Sequence, residues 1–255
     1  MRAAPALAAL VIALSTSACA QSQLAYQPTP FQVGKDVVWV PTPQSLVDKL
    51  LDLARVTKED FVMDLGSGDG RLVITAAKRG ARAMGVEYNP DLVDLSRRAA
   101  QKEGVGERAV FVKADLFETD FSRATVITMF LLPELNLRLR PTILALRPGT
   151  RVVSNTFTMG DWLPDETAKL TSADSCSSAY CTALFWVVPA RVTGIHKLPE
   201  GEITITQEFQ LIAGTMTTGG KSFPFSGKVL GEDLTIRGDG REFRGRMNGR
   251  TLELR

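Results

Sequence analysis

Short apolar stretches alternate with helical patterns along most of the sequence, and this alternation constrains the fold more than any other feature. The apolar stretches have the length of buried strands, and the segments between them carry apolar residues at helical spacing. This alternation is typical of βαβ units, which form a parallel sheet with right-handed crossovers. We therefore predict an α/β fold, with a doubly wound and mostly parallel sheet, over residues 41–195. The predicted strands are 61–63, 83–86, 110–112, 124–130 and 151–154.

Acidic residues stand at or just beyond the ends of three successive predicted strands. Asp64 ends the first strand, Glu87 ends the second, and Asp115 follows the third. Ligands of such sheets bind beyond the carboxyl ends of the strands. We therefore expect these three carboxylates to face one shared ligand.

A glycine-rich segment, Val62-Met63-Asp64-Leu65-Gly66-Ser67-Gly68-Asp69-Gly70-Arg71, joins the first strand to the next helix. It is not the dinucleotide pattern G-x-G-x-x-G, because its third glycine comes one residue early. The carboxylates of Asp64 and Asp69 would repel a diphosphate, which argues against a nicotinamide oxidoreductase. A cationic or zwitterionic ligand fits better, and S-adenosylmethionine has a sulfonium, an ammonium, a ribose and no phosphate.

These residues resemble those of the class I S-adenosylmethionine-dependent methyltransferases. The glycine loop is similar to their cofactor loop, Glu87 to the acid that holds both ribose hydroxyls, and 113–116 to the segment that contacts adenine. The resemblance implies a Rossmann-like methyltransferase sheet over most of the chain, with S-adenosylmethionine as cofactor. The implied cofactor-binding residues are Thr42, Asp64, Gly66, Ser67, Gly68, Asp69, Gly70, Glu87, Asp115 and Leu116.

Two further segments resemble the ATP synthase c-subunit lysine methyltransferase family: Trp39-Val40-Pro41-Thr42-Pro43 and Thr128-Met129-Phe130-Leu131-Leu132-Pro133. In that family the first segment folds over the cofactor and the second borders the methyl-transfer channel. The resemblance implies an amine acceptor such as a protein lysine. It also implies a channel lined by Thr128, Phe130, Leu132 and Pro133. No residue stands out as a general base, so no catalytic residue is assigned.

The first twenty residues have the three-part layout of a secretory signal, with a positive start, an apolar run and small residues at the end. We expect cleavage before Gln21, an extended segment over 21–40 and a periplasmic or secreted mature chain. Alternatively, Cys19 could be the lipidated first residue of a lipoprotein. We favour this less, because Thr16 stands where the lipoprotein motif usually has an aliphatic residue. An oxidising compartment would permit a disulfide between Cys176 and Cys181.

The last part of the chain, 196–255, has a different pattern, with frequent glycine and no helical periodicity. Residues 225–237 and 243–255 form an internal repeat, and each copy is typical of an antiparallel β-hairpin. The expected turns lie at Gly231 and at Asn248-Gly249, the latter a type I′ signal. We predict a small C-terminal module of two hairpins packed on the main domain.

Composition excludes several classes of protein. Thirty Lys and Arg residues against 28 Asp and Glu residues give a net charge of +2, which argues against a nucleic-acid partner. Two cysteines and one histidine beyond the leader fall short of four zinc ligands, so no metal site is predicted. No apolar run of spanning length follows the leader. A non-catalytic exported binding protein that retains the methyltransferase fold is the competing hypothesis.

Overall fold

A computed structural model of the protein describes residues 26–254. The predicted signal peptide over 1–20, with Cys19 and its cleavage site, lies outside the described residues. Within 26–254, no helix is both long and apolar enough to cross a membrane.

The main sheet has seven strands in the order β3-β2-β1-β4-β5-β7-β6. Strands β3, β2, β1, β4 and β5 pair in parallel, while β7 runs antiparallel to both of its neighbours. The prediction of an α/β fold with a mostly parallel sheet is therefore confirmed. The strands are β1 Phe61–Leu65, β2 Arg82–Glu87, β3 Ala109–Lys113, β4 Val126–Met129, β5 Arg151–Asn155, β6 Glu166–Lys169 and β7 Thr182–Val187.

Four α-helices cover the two faces of this sheet unequally. Helices α1 Gln44–Leu53, α2 Arg71–Lys78 and α3 Pro90–Lys102 contribute to the apolar core on one face. Helix α4 Pro133–Leu144 contributes to the core on the other face, together with irregular segments and two buried tryptophans. Both faces are thus shielded from water, which is the usual requirement of a parallel sheet.

Two local predictions around the helices differ from the structure. The pair Thr42-Pro43 is typical of a helix cap at Thr42 followed by proline at the first helical position, but Pro43 occupies the N-cap position and Gln44 begins the helix. The Thr42 hydroxyl instead accepts a hydrogen bond from Asn155 Nδ2 at 3.3 Å. Pro141 predicts a kink or a division of the fourth helix, and the helix is not divided, because α4 continues through this residue.

The direction of β7 determines which loops share an edge of the sheet. Strand β6 runs the same way as β5, because each is antiparallel to the β7 strand between them. The connection from β6 to β7, residues 170–181, therefore lies at the same edge as the carboxyl ends of β1 to β5. This edge carries the candidate site.

The C-terminal module is larger than predicted. It is a separate antiparallel sheet of seven strands in sequential order, not the expected four, and its first and last strands lie side by side so that the sheet nearly closes. Its interior is filled by apolar side chains. The strands are β8 Gly194–Leu198, β9 Gly201–Glu208, β10 Leu211–Thr218, β11 Lys221–Leu230, β12 Asp233–Gly238, β13 Arg241–Asn248 and β14 Thr251–Leu254.

The repeated segments form two of the module's hairpins, β11–β12 and β13–β14, as expected. The type I′ geometry is found at another turn, Asp239-Gly240, where both loop residues have positive φ. At the predicted turn, Asn248 ends β13 and only Gly249 has positive φ. Of the three strands before the repeat, the alternation at 203–205 predicts part of β9, whereas β8 and β10 were missed because they lie outside the repeat from which the hairpins were identified.

Candidate functional site

A cavity of about 430 Å³ opens at the carboxyl edge of the main sheet, covered on one side by residues 32–42. The carboxylates of Asp64, Glu87 and Asp115 all lie in its wall, as the strand-end pattern led us to expect. The cavity is lined by ten of the residues selected from the sequence: Thr42, Asp64, Gly66, Gly68, Asp69, Glu87, Asp115, Leu116, Phe130 and Leu132.

The other selected residues lie outside this wall. Ser67 is buried with its hydroxyl close to Gly85, and Gly70 packs against Phe111. Thr128 is buried and donates a hydrogen bond to Asp64 Oδ1 at 2.6 Å, so it supports the site instead of lining a channel. Pro133 begins helix α4.

Asp64 is the most perturbed ionisable group of the site. Burial raises its pKa to about 7, the hydrogen bond from Thr128 opposes this shift, and the charges of Glu87 and Asp69 add to it. A buried carboxylate among other carboxylates is destabilised unless a cation approaches. The site is therefore prepared for a positively charged ligand group next to Asp64.

Glu87 holds the glycine loop in place. Its two carboxylate oxygens accept hydrogen bonds from the backbone amides of Gly68 and Asn89, each at 2.9 Å. An ionised carboxylate has about four acceptor positions. The remaining positions are available to hydroxyl groups of a ligand in the cavity.

The carboxylate of Asp69 is less available to a ligand than its place in the glycine-rich motif suggested. Its carboxylate is held by the guanidinium of Arg71, which donates from Nε to Asp69 Oδ1 at 2.9 Å. Arg71 Nη1 also donates to the carbonyl oxygen of Thr42 at 2.7 Å. Arg71 therefore neutralises Asp69 and fastens the glycine loop to the chain that precedes α1.

Asp115 forms an ion pair with Lys35, a residue that the sequence did not single out. The hydrogen bond from Lys35 lowers the pKa of Asp115, and the backbone amide of Phe117 contributes to the same shift. Lys35 Nζ also lies 4.8 Å from the centre of the Tyr88 ring. The segment over residues 32–42 is thus held across the cavity at the Asp115 end.

The backbone of the glycine loop is poorly suited to phosphate, because four of its amides already have acceptors within the protein. The amides of Gly66 and Ser67 both donate to Val86 O, and that of Gly70 donates to Ser67 O. The amide of Gly68 donates to Glu87. A phosphate-binding loop needs free amides that point at the ligand. The cavity therefore suits a nucleoside with a cationic group and no phosphate, which is the chemistry of S-adenosylmethionine.

Comparison with known proteins agrees with this geometry. The sequence profile described as the ANTKMT methyltransferase domain matches residues 64–166. A protein-lysine N-methyltransferase of Saccharolobus islandicus (strain REY15A) is 44% identical over 147 residues, which are 56% of this chain and 91% of that protein. This chain is an S-adenosylmethionine-dependent methyltransferase of the same family as that relative.

Two other relatives of this methyltransferase show how far the likeness extends. The ATP synthase c-subunit lysine N-methyltransferase of Xenopus laevis is 38% identical over 128 residues, 50% of this chain and 56% of that protein. This methyltransferase thus spans about half the length of that relative. A Salinibacter ruber structure described as an RNA methyltransferase in complex with S-adenosyl-L-homocysteine has a TM-score of 0.56 and 46% identity, covering 60% of this chain and 96% of that chain.

Several cavity residues of the methyltransferase were not selected from its sequence. Asn155 ends β5 and Phe157 follows it, and Tyr88 follows β2; all three line the cavity. The strand-end rule that selected Asp64 would also have found Asn155, had it been applied to polar residues that are not acidic. Trp39 covers the loop, since a Cβ atom on Gly68 would lie 2.6 Å from its indole nitrogen. Among the described residues, no group of three or more His, Cys, Asp or Glu side chains could hold a metal ion.

The substitution Gly70→Ala is expected to destabilise the methyltransferase by about 2–4 kcal/mol, because it combines backbone strain with overpacking. Gly70 has a φ of 79°, and its added Cβ would lie 2.7 Å from the Phe111 ring and 2.8 Å from Ser96 Cβ. Urea denaturation would measure the change. Gly104→Ala is the matched control, because Gly104 has a similar φ of 71° with nothing within 4 Å. The control should lose only about 1 kcal/mol, and equal losses would contradict the packing argument.

Proposed function

We propose that this methyltransferase transfers a methyl group to an amine, with a lysine side chain of a protein as acceptor. The observation that carries the proposal is the contrast between the two ends of the cavity. Carboxylates line the part beyond β1, β2 and β3, whereas apolar and aromatic residues line the part beyond β4 and β5: Met129, Phe130, Leu131, Leu132 and Phe157. The names of the Saccharolobus and Xenopus relatives support a lysine acceptor.

An apolar acceptor end suits an amine for a physical reason. An amine attacks carbon only in its deprotonated form, and removal from water lowers the pKa of a lysine. In this proposal the buried side chains of Met129 and Leu131 exclude water from the acceptor nitrogen at the point of transfer, which favours the neutral nucleophile. No carboxylate base is required at this end, since the proton can leave before the lysine is fully enclosed.

The chain's own residues then contribute orientation and charge. S-adenosylmethionine, when bound, supplies a methyl group on a positively charged sulfur. Glu87 and Asp115 are placed to accept hydrogen bonds from the nucleoside, and Asp64 is placed to face the cationic part. Holding both reactants in one dry site converts their encounter into an oriented, effectively unimolecular step.

We also propose that the enzyme acts outside the cytoplasm. The signal-like pattern of residues 1–20 supports export, and so does the disulfide between Cys176 and Cys181, because disulfides persist in oxidising compartments. Mass spectrometry of the protein purified from cell fractions would test this. A chain that begins at Gln21 in the exported fraction is expected, a lipid on Cys19 would indicate a lipoprotein, and an uncleaved cytoplasmic chain would contradict the proposal.

A tritiated-methyl transfer assay with membrane and soluble protein extracts would test the acceptor. Label is expected in protein, and acid hydrolysis should recover it as methylated lysine. Label removed by ribonuclease would contradict the lysine proposal and favour an RNA acceptor, as the description of the Salinibacter structure suggests. Normal binding of S-adenosylhomocysteine without any label in extracts would favour the non-catalytic binding protein.

A further inference from the structure

The connection between β6 and β7 places a third aromatic ring beside the acceptor end of the cavity. Tyr180 lies 5.3 Å from Phe130 and 5.8 Å from Phe157, measured between ring centres. Phe130 and Phe157 are themselves 5.9 Å apart and nearly parallel. Phe130 and Phe157 line the cavity, while Tyr180 extends the group outward and is half-buried. We call these three residues the aromatic wall.

The order of the sheet locates the aromatic wall relative to the cofactor. Glu87 and Asp115 follow β2 and β3 on one side of β1, whereas Phe130 and Phe157 follow β4 and β5 on the other side. A nucleoside held by the two carboxylates therefore lies at one end of the cavity, and the aromatic wall lies at the other end. An acceptor that enters the cavity from that end passes the wall.

Two local features hold Phe157 in this wall. Thr156 has a φ of 61°, which is unusual for a β-branched residue, and its amide donates to Thr182 O at 2.7 Å. The carbonyl oxygen of Phe157 accepts from Ser154 Oγ at 2.7 Å and from Asn136 Nδ2 at 3.1 Å. Strained backbone that is fixed by its surroundings is a feature of binding sites.

The disulfide holds Tyr180. Cys176 and Cys181 are buried, at 3% and 5% exposure, in the apolar core beneath helix α1. Residues 177–179 between them are exposed, and the Tyr180 amide donates to Ser178 Oγ at 3.0 Å. The loop is therefore anchored at both ends in the core, and Tyr180 directly precedes the second anchor.

From these contacts we infer that Tyr180, positioned by the Cys176–Cys181 disulfide, is a substrate-binding residue that receives a cationic alkylammonium side chain together with Phe130 and Phe157. Faces of aromatic rings attract ammonium groups, and methylated ammonium groups especially. Among residues 26–254, no carboxylate lines the cavity beyond β4 and β5, so the rings supply the attraction there. This inference rests on the proposed amine acceptor and names the residues that recognise it.

The test measures binding of a charged probe and a neutral one to the full mature chain saturated with S-adenosylhomocysteine. The charged probe is N-acetyl-trimethyllysine methylamide, and the neutral probe is its isostere with a tert-butyl group in place of trimethylammonium. The wild type is expected to bind the charged probe several-fold more tightly. Tyr180→Ala should weaken charged-probe binding about three- to tenfold and leave neutral-probe binding nearly unchanged, whereas Tyr180→Phe should retain the preference.

Ser177→Ala is the matched control, because Ser177 lies in the same loop and is exposed. The double variant Cys176→Ser, Cys181→Ser is expected to resemble Tyr180→Ala, with the affinity for S-adenosylhomocysteine reporting that the domain is folded. If that variant does not fold, Tyr180→Ala still decides.

Equal binding of the two probes by the wild type, or an unchanged preference in Tyr180→Ala, would overturn the inference. So would the absence of probe binding to a wild type that binds S-adenosylhomocysteine normally. None of these three results would remove the proposed function, which depends on methyl transfer in extracts.

Discussion

The substitution Asp64→Asn is expected to weaken S-adenosylmethionine binding at least about a hundredfold and, at the same time, to stabilise the ligand-free enzyme above pH 7. Asp64 lines the cavity and is 6% exposed. The amide of Asn can still accept the hydrogen bond from Thr128, so the packing is nearly unchanged. Only the charge that would pair with the cationic ligand is removed.

The expected gain in stability follows from the raised pKa of Asp64. Burial raises this pKa from 3.8 to about 7, so the folded chain holds the proton more tightly than the unfolded chain does. The folded state therefore becomes less stable as the pH rises from about 4 to about 7, and the loss of stability is constant above that range. Asn does not titrate, so the variant should gain up to about 4 kcal/mol over the wild type at pH 8 and progressively less towards pH 4.

Urea denaturation at pH 4.5 and pH 8, together with calorimetric titration of S-adenosylmethionine, would measure both effects. Wild-type affinity should rise between pH 5.5 and 7.5 as Asp64 ionises, and the affinity of the variant should stay flat. Equal stability of the two proteins at both pH values, with unchanged cofactor affinity, would show that Asp64 is not the charged centre of the site.

The substitution Asp60→Asn is expected to have the opposite combination of effects, a loss of about 2–4 kcal/mol in stability with little change in cofactor affinity. Asp60 is also buried but lies just before the start of β1, at the edge away from the cavity. Its carboxylate accepts from the Thr57 amide at 2.8 Å and from Thr125 Oγ1 at 2.7 Å, and it pairs with Arg151.

The pKa of Asp60 explains the direction of this loss. Burial alone would raise it, but the hydrogen bonds from Thr57, Thr125 and Arg151 outweigh burial and hold the pKa below 3.8. The ionised form therefore stabilises the fold above the unfolded pKa, and this contribution disappears as the pH falls below about 4. Asn removes the charge and leaves the guanidinium of Arg151 without its carboxylate partner.

The same two measurements apply to Asp60→Asn, which makes the two variants controls for each other. At pH 7 its denaturation midpoint should fall, and near pH 3 the difference from wild type should narrow. A tenfold or larger loss of cofactor affinity in a folded Asp60→Asn protein would contradict the claim that Asp60 and the cofactor site lie at opposite ends of β1 and act independently.

Residue pattern sufficed for the five parallel strands β1 to β5 of the main domain and for its acidic residues, but not for β6 and the antiparallel β7. Strand–helix alternation predicts a parallel sheet, and parallel strands bring Asp64, Glu87 and Asp115 to one edge wherever the helices lie. The same reasoning failed for part of the C-terminal module, because β8 and β10 lie outside the internal repeat on which the prediction of the hairpins depended. Four strands were expected there and seven are present.

The pairing of charges and the composition of the aromatic wall depended on contacts between distant parts of the chain. Lys35 meets Asp115 across 80 positions, and Tyr180 meets Phe130 because β7 reverses direction and returns the 170–181 connection to the carboxyl edge. The local sequence determines the chemistry of each side chain and the periodicity of the helix or strand that carries it. Long-range packing sets which of those side chains meet and how much water they lose, and these two quantities control both pKa and binding.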